Sequence, residues 1–459
     1  MYSLPKEIHR EIVSWLEPET QQITRLVDRY FAGLIQPQDT NLLDFGAKHG
    51  LLEYCKIGLS RYGLSWTACE IAAQNGHLEV LKWVKKRGCP WDKWTCAIAA
   101  ENDHLEVLKW LRERGCPWNK WTCIMAAQNG HLEVLRWARF QRCPWNELTC
   151  ARAALNGHLE VLKWLRGALD SSTSVRSREL TLERSENAVC PWCTHTCANA
   201  AQNGHLDVLK WARNNGCPWD ELTCSYAAQN GHLEVLKWAR NNGCPWDVYT
   251  CTWAARNGHL EVFKWARGST LKRNKNTVCP WNKYTYTWAV RNGHLEVLKW
   301  ARCDLDFPAL DQNGEITTER NENTIYPWDK WTCAIAAENG HLEVLQWARS
   351  QGCPWNESTC SRAAGYGHLD VLVWARDNGC PWDGLTCAWA AEYGHLKVLQ
   401  WARSQGCPWN ESTCSRAAAH GHLNILVWAI ENGCPWNHQL VDASRFPEHI
   451  REYLTFLRG

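Results

Sequence analysis

The sequence predicts an all-α solenoid of stacked helix–turn–helix units with a small helical segment in front, and three observations carry that expectation. A phrase close to Gly-His-Leu-Glu-Val-Leu-Lys-Trp recurs twelve times, its histidines running from His77 to His422. Eight of the eleven intervals between those histidines are 27 residues; the others are 47, 35 and 47. Each unit holds two short stretches of helical character divided by Gly, or once by Asp. Fixed-period self-similarity means one small unit stacked on copies of itself. Stacked repeats build extended surfaces that hold other macromolecules, so a binding protein without catalytic residues is expected.

The unit from Pro90 to Cys116, PWDKWTCAIAAENDHLEVLKWLRERGC, shows the logic. Asp92, or Asn119, Asn146 and Asp220 at the same phase, is a natural N-cap behind a Pro-Trp turn. A first helix follows over about 94–102, with Cys96, Ala99 and Ala100 as its small inward residues. Gly at the next position (Gly76, Gly130, Gly157) suits a left-handed helix end, and Asp103 replaces it once. The second helix starts at the His, with Leu105, Leu108 and Leu111 apolar and Glu106, Lys109 and Glu113 polar. Gly115 ends it, and Cys116-Pro117 leads into the next unit.

Bulk composition narrows the function. The 459 residues carry 50 basic and 48 acidic side chains, a net charge of +2, so no basic field draws the chain to nucleic acid. No apolar run approaches the ~20 residues of a membrane span. The N-terminal MYSLPKEIHREIVSWL has acids where a signal peptide has a basic and then an apolar region. A cytoplasmic protein, monomeric and without cofactor or metal, is the expectation.

Of the 25 cysteines, eleven stand in Cys-Pro-Trp and eleven more precede the Ala-Ala position by three; Cys55, Cys193 and Cys303 fall outside. Without a secretion signal they are expected as reduced, buried, small apolar residues. Repeated zinc sites are the alternative, because Cys116, Cys123 and His131 have counterparts in most units. Structural zinc sites place cysteines two to four apart, and only Cys190 and Cys193 do so. A Cys–His catalytic pair copied a dozen times lacks the singularity of an active site, and no phosphate loop, His-Glu-x-x-His or Gly-x-Ser-x-Gly occurs. The Trp columns (Trp83, Trp110; Trp91, Trp118) are expected in the core rather than as a platform for bases.

The match of Thr-Cys-x-x-Ala-Ala-x-Asn-Gly-His-Leu-Glu-Val-Leu, followed by Gly-Cys and Asp or Asn, resembles the ankyrin repeat. The period is about six short of that family's usual 33, which implies a hairpin between units trimmed to a tight turn. Trp-Thr-Cys-Ala also stands where that family has Thr-Pro-Leu-His. Short, Trp- and Cys-rich arrays of this type look like those of giant viruses and some protists, which would place the chain in a host cytoplasm. The leucine-rich strand pattern, Leu-x-x-Leu-x-Leu, is absent.

The expected layout is a helical segment over 1–38, a degenerate capping repeat over 39–65, twelve repeats over 66–434 and a closing helix within 435–459. Three insertions, at about 167–189, 268–278 and 303–325, leave from the same phase and are expected as polar surface loops, with a second contact site an alternative. Residues 4–35 have Leu4, Ile8, Ile12 and Leu16 at helical spacing, a break at Pro18, and a resumed pattern through Phe31. Leu-Pro-x-Glu-Ile, the Leu-x-Pro turn and Arg-x-Val-x-Arg-x-Phe resemble an F-box. That resemblance implies contact with the Skp adaptor of a cullin-type ubiquitin ligase through Leu4, Pro5, Ile8, Ile12 and Leu16. The alternative is a segment that only closes the stack, leaving a plain scaffold or decoy.

Columns that stay constant between units hold the fold, and columns that vary are free to carry recognition. The varying positions are Trp94, Ile98 and Glu101 in one unit and Trp121, Met125 and Gln128 in the next. Leu148, Arg152 and Leu155 follow; then Tyr249, Trp253 and Arg256; Tyr284, Trp288 and Arg291; and Leu385, Trp389 and Glu392. Spacing of i, i+4 and i+7 puts each trio on one face of the first helix. Arg362 and Arg416 occupy the same phase, and Trp and Arg are interface-prone types. The resemblance places this face on the concave, partner-binding side; relaxed packing at half-buried positions is the competing explanation.

Overall fold

A computed structural model of the chain describes residues 42–167, 189–268, 278–280, 282–303, 330–436 and 445–458. These residues contain 27 α-helices and no strand. The chain divides into two compact units, one up to Trp192 and one from Cys193. Residues 1–41 and most of the three insertions lie outside the described residues.

The first unit comprises α1 (Leu42–His49), α2 (Leu52–Tyr62), α3 (Ala68–Gln74), α4 (Leu78–Lys86) and α5 (Lys93–Glu101). It continues with α6 (Leu105–Glu113), α7 (Lys120–Gln128), α8 (Leu132–Phe140), α9 (Glu147–Leu155) and α10 (Leu159–Leu165). The second unit opens with α11 (Thr194–Gln202), α12 (Leu206–Asn214), α13 (Glu221–Gln229), α14 (Leu233–Asn241), α15 (Val248–Arg256) and α16 (Leu260–Arg267). Then come α17 (Lys283–Arg291), α18 (Leu295–Cys303), α19 (Lys330–Glu338), α20 (Leu342–Ser350), α21 (Glu357–Gly365) and α22 (Leu369–Asp377). It closes with α23 (Gly384–Glu392), α24 (Leu396–Ser404), α25 (Glu411–Ala419), α26 (Leu423–Glu431) and α27 (Glu448–Arg458). Odd-numbered helices are the first helices of their repeats. Within each unit, successive first helices pack directly on one another, far more extensively than successive second helices.

Helices of nine residues are marginal in isolation, so caps and packing must hold them. At the start of α5 the Trp94 N–H donates to Asp92 Oδ1 at 2.7 Å, and the Asp92 N–H donates to Thr95 Oγ1 at 3.2 Å. Asn119, Asp220, Asp247 and Asn410 accept the equivalent backbone N–H at the start of their helices. Each such cap is worth about 1 kcal/mol. The second helix begins one residue later than the repeat phrase suggests: His104 is its N-cap and provides no side-chain cap. Its ring reaches back instead, with Nε2 3.0 Å from the Gln74 carbonyl oxygen. His131, His232 and His259 reach Glu101, Gln202 and Gln229 in the same way.

That histidine packs against the glycine before the preceding repeat's second helix, and His131 makes the same reach opposite Asp103. Gly76 has φ +73°, and a Cβ there would lie 2.7 Å from the His104 ring. Asp103 adopts φ +63° in the same role, and Arg142 adopts φ +61° where Gly115 stands one repeat earlier. The expected inward stripe of the second helix needs correction. Val107, Leu108 and Leu111 are buried, whereas Leu105 is only half-buried. At 100° per residue, positions i, i+1 and i+4 share a narrower face than three leucines spaced by three. Burying each of these side chains contributes roughly 1.5–3 kcal/mol before chain entropy opposes it.

Both cysteine columns are fully buried. Cys116 Sγ donates to the Asp92 carbonyl at 3.3 Å and Cys143 Sγ to the Asn119 carbonyl at 3.5 Å, tying each turn to the cap of the preceding repeat. A hydrogen bond with the Cys143 thiol, then burial, holds the Cys123 thiol well above its ordinary range. Among the described residues no three His, Cys, Asp or Glu side chains converge as a metal site. The Pro-Trp tryptophans depart from the expected core position, for they are half-buried. Trp118 meets Trp137 edge-on at 6.0 Å and lies under the Arg112 guanidinium at 4.0 Å. The same arrangement recurs at Trp145 with Trp164 and Arg139. An indole N–H and a stacked cation both favour a position at the rim, where they stay hydrated.

Candidate partner-binding face

The first helix shows an inward and an outward face. Thr95, Cys96, Ala99 and Ala100 point inward and are fully buried. Residues at i, i+4 and i+7 from the helix start point away from the second helices and line up from repeat to repeat. In the first unit these are Trp94, Ile98 and Glu101 on α5, Trp121, Met125 and Gln128 on α7, and Leu148, Arg152 and Leu155 on α9. All are half-buried except Trp94, which is exposed. The Trp94 and Trp121 rings meet at 5.7 Å, so the outward side chains of these two neighbouring repeats touch.

In the second unit the same positions carry charge as well as rings. On α15 and α17, Tyr249 and Tyr284 are 59% and 57% exposed. Trp253, Arg256 and Trp288 are half-buried, and Arg291 is exposed. The Arg256 Cζ lies 4.8 Å from the Trp253 centroid and 4.2 Å from that of Trp288. On α19, Glu338 is 8% exposed and lies between two cations: Arg291 Nη2 approaches it at 3.6 Å, and Arg362 of α21 pairs with its other oxygen. On α23 and α25, Glu392 pairs with Arg416. Trp389 packs over Gly365, where a Cβ would lie 3.0 Å from the indole.

The outward side of the first helices in the second unit also carries three residues that the varying columns did not suggest. Trp331 is exposed at the phase of Trp94, under Arg362 at 5.3 Å. Tyr366 and Tyr393 stack at 5.9 Å with 24° between the ring planes, both about half exposed. They occupy the helix-end position held by Asn in most other repeats, and that double Asn-to-Tyr replacement was the available signal. Leu4, Pro5, Ile8, Ile12 and Leu16 lie outside the described residues. Among the described residues no helix is long and apolar enough to cross a membrane.

Residues 96–139, 197–240 and 224–267 match a family model described as ankyrin repeats in many copies. Ankyrin repeats therefore stand in both units, and they mark a protein–protein interaction scaffold. Among solved structures, the pentatricopeptide repeat protein PPR10 in complex with an 18-nt RNA element is 15% identical. The match covers 92% of this chain and 67% of that one, with a TM-score of 0.35. The human ASB11 ankyrin repeat domain is 15% identical over 41% of this chain and 94% of that one, with a TM-score of 0.29. At such scores neither bears on what this chain binds. No curated protein matches the chain.

Proposed function

We propose that the chain is a substrate-recognition adaptor: a protein-binding scaffold that holds its partner on the first-helix face and recruits a cullin-type ubiquitin ligase through residues 4–35. The observation behind the first half is the division of labour between columns. Buried columns (Thr, Cys, Ala-Ala, Val-Leu) repeat almost unchanged, while the outward positions of the first helices vary in size, ring and charge. A surface that had only to be wet would be filled with Lys, Glu and Gln; this one also carries Trp, Tyr and Arg, the types enriched at interfaces.

Support for the second half is the F-box resemblance of Leu4, Pro5, Ile8, Ile12 and Leu16, apolar positions suited to a partner groove. The chemistry belongs in this reading to the ligase, and the chain itself supplies proximity. A cytoplasmic location follows from the same reading.

Two experiments test it separately. A photo-crosslinking residue placed at Trp94, Tyr249 or Leu385 is expected to capture partner protein, and one at Glu106 or Glu234 on second helices is not. Equal capture from both helices would remove the face. Purified chain is expected to bind the Skp adaptor, and Leu4→Ala with Pro5→Ala and Ile8→Ala is expected to abolish that binding while helicity is retained. No binding by the well-folded chain leaves a scaffold without a ligase link.

A further inference from the structure

Two consecutive repeats carry the same outward trio, Tyr-Trp-Arg, at i, i+4 and i+7: Tyr249, Trp253 and Arg256 on α15, then Tyr284, Trp288 and Arg291 on α17. None of the other ten repeats has it. The trios interlock. Arg256 lies between two indoles, at 4.8 and 4.2 Å, and Arg291 approaches the Trp288 ring at 5.6 Å. Two cations thus share one tryptophan. A planar guanidinium stacked on rings keeps the N–H donors along its edges available for a bidentate acceptor.

The two helices supply no acid of their own, and among the described residues the one carboxylate within ion-pair reach of their cations is Glu338 of α19, 3.6 Å from Arg291 Nη2. Among the described residues, Arg256 meets rings and no carboxylate. Further along the same face Arg362 shares Glu338 with Arg291, and Arg416 pairs with Glu392. Lys283, with Nζ 5.3 Å from the Tyr284 centroid, adds a third positive charge. The patch is therefore aromatic and cationic, with Arg256, Arg291 and Lys283 set against the single Glu338 carboxylate that Arg291 shares with Arg362.

We propose that the α15–α17 face binds an extended acidic protein segment whose carboxylates are three residues apart, one seated on Arg256 and one on Arg291. Packed helices lie about 8–10 Å apart. A polyproline-II segment rises about 9 Å per three-residue turn and returns its side chains to one face. Carboxylates at i and i+3 would therefore meet successive repeats, with proline or another apolar residue between them against Trp288 and the exposed tyrosines. A single-stranded nucleic acid would need indole faces free for bases, whereas Arg256 fills the space between Trp253 and Trp288. This deepens the reading of the first-helix face as the partner surface and rests on it.

The test uses the full chain and a fluorescein-labelled (Glu-Pro-Pro)4 peptide, followed by anisotropy beside (Gln-Pro-Pro)4 and a 12-nucleotide oligouridylate. Expected are saturable binding of the acidic peptide, at least tenfold tighter than the glutamine peptide, and a weakening of at least tenfold in Arg256→Gln or Arg291→Gln. Arg152→Gln, on the corresponding face of α9, should change it less than twofold. The comparison of Glu and Gln peptides on unaltered chain holds even if a variant misfolds. Oligouridylate binding that exceeds peptide binding overturns the proposal in favour of nucleic acid, and failure of both probes overturns it outright. If crosslinks from Trp94 and Leu385 persist in that case, only this inference falls and the partner face stands.

Discussion

Gly231 and Gly243 allow the histidine ladder to be weighed in isolation. Both sit just past a helix end with nearly the same left-handed backbone, φ +77° and +83°. A Cβ at Gly243 would meet nothing within 4 Å, whereas one at Gly231 would lie 2.7 Å from His259 Nδ1. Gly243→Ala should therefore carry only the conformational cost, about 1–2 kcal/mol, partly offset by about 0.4–1 kcal/mol from a stiffer unfolded chain. Gly231→Ala has the same terms and also displaces the imidazole, whose Nε2 lies 3.0 Å from the Gln229 carbonyl oxygen. Losing that hydrogen bond adds about 0.5–1.5 kcal/mol, and the lost packing adds to it. The expected gap between the two variants is about 1–2 kcal/mol on these terms. Native-state hydrogen exchange of the α13–α16 amides is the assay, because a solenoid opens by neighbouring repeats rather than as a whole. In a His259→Ala background the gap should close to within about 0.5 kcal/mol. Equal costs with His259 present, or a gap that survives its removal, would refute the ladder as the reason for glycine.

Asp103→Gly should stabilise the α5–α6 region by about 0.5–1 kcal/mol, relief of the left-handed aspartate outweighing its exposed 3.6 Å contact with His131; an unchanged urea midpoint would count against this. Burial holds the imidazoles of His232, His294 and His395 below their usual pKa, so the unfolded chain takes up their protons first. Stability is then flat above pH ~7, falls as pH drops through about 6.5, and levels off below the folded values. Denaturant titrations between pH 5 and 8 check the sign, and stability that rose on acidification would contradict it. Thiol reagent at pH 8 should modify the half-buried Cys193 first among the described thiols, while Cys55, pushed up to about 11 by burial, and the two columns react only as repeats open. Prompt modification of many thiols in folded protein would show that the columns are not sealed.

Much of this architecture was legible because a repeat multiplies its own signals. One capping Asp or Asn, one left-handed Gly and one Ala-Ala pair are weak evidence alone, but a dozen copies at one phase leave a single arrangement. Two details were misjudged from periodicity. Leu105 looked inward because it is a leucine at spacing three, yet Val107 is the buried neighbour. The Pro-Trp tryptophans looked like core because they are large and constant, yet Arg112 and Arg139 hold them at the rim. Helix geometry settles the first, since 107, 108 and 111 share the narrower face, and a cation across the turn from each indole settles the second.

The clearest limit on what local sequence decides is a nonapeptide that occurs twice. KWTCAIAAE forms α5 at Lys93–Glu101 and α19 at Lys330–Glu338, with the same helix and the same buried Thr, Cys and alanines. Local sequence determined those shared features, since caps, periodicity and small inward residues act within one repeat. It did not determine the outward face. Trp94 packs on Trp121, while Trp331 lies under Arg362. Glu338 is buried between Arg291 and Arg362, whereas Glu101 is half-buried and its helix neighbour α7 presents Met125 and Gln128 at that face. The neighbours come from the flanking repeats, one of them across a long insertion. Only stacking brings their charges within a few ångströms, so the outward surface is a property of the stack and the repeat alone specifies only the fold.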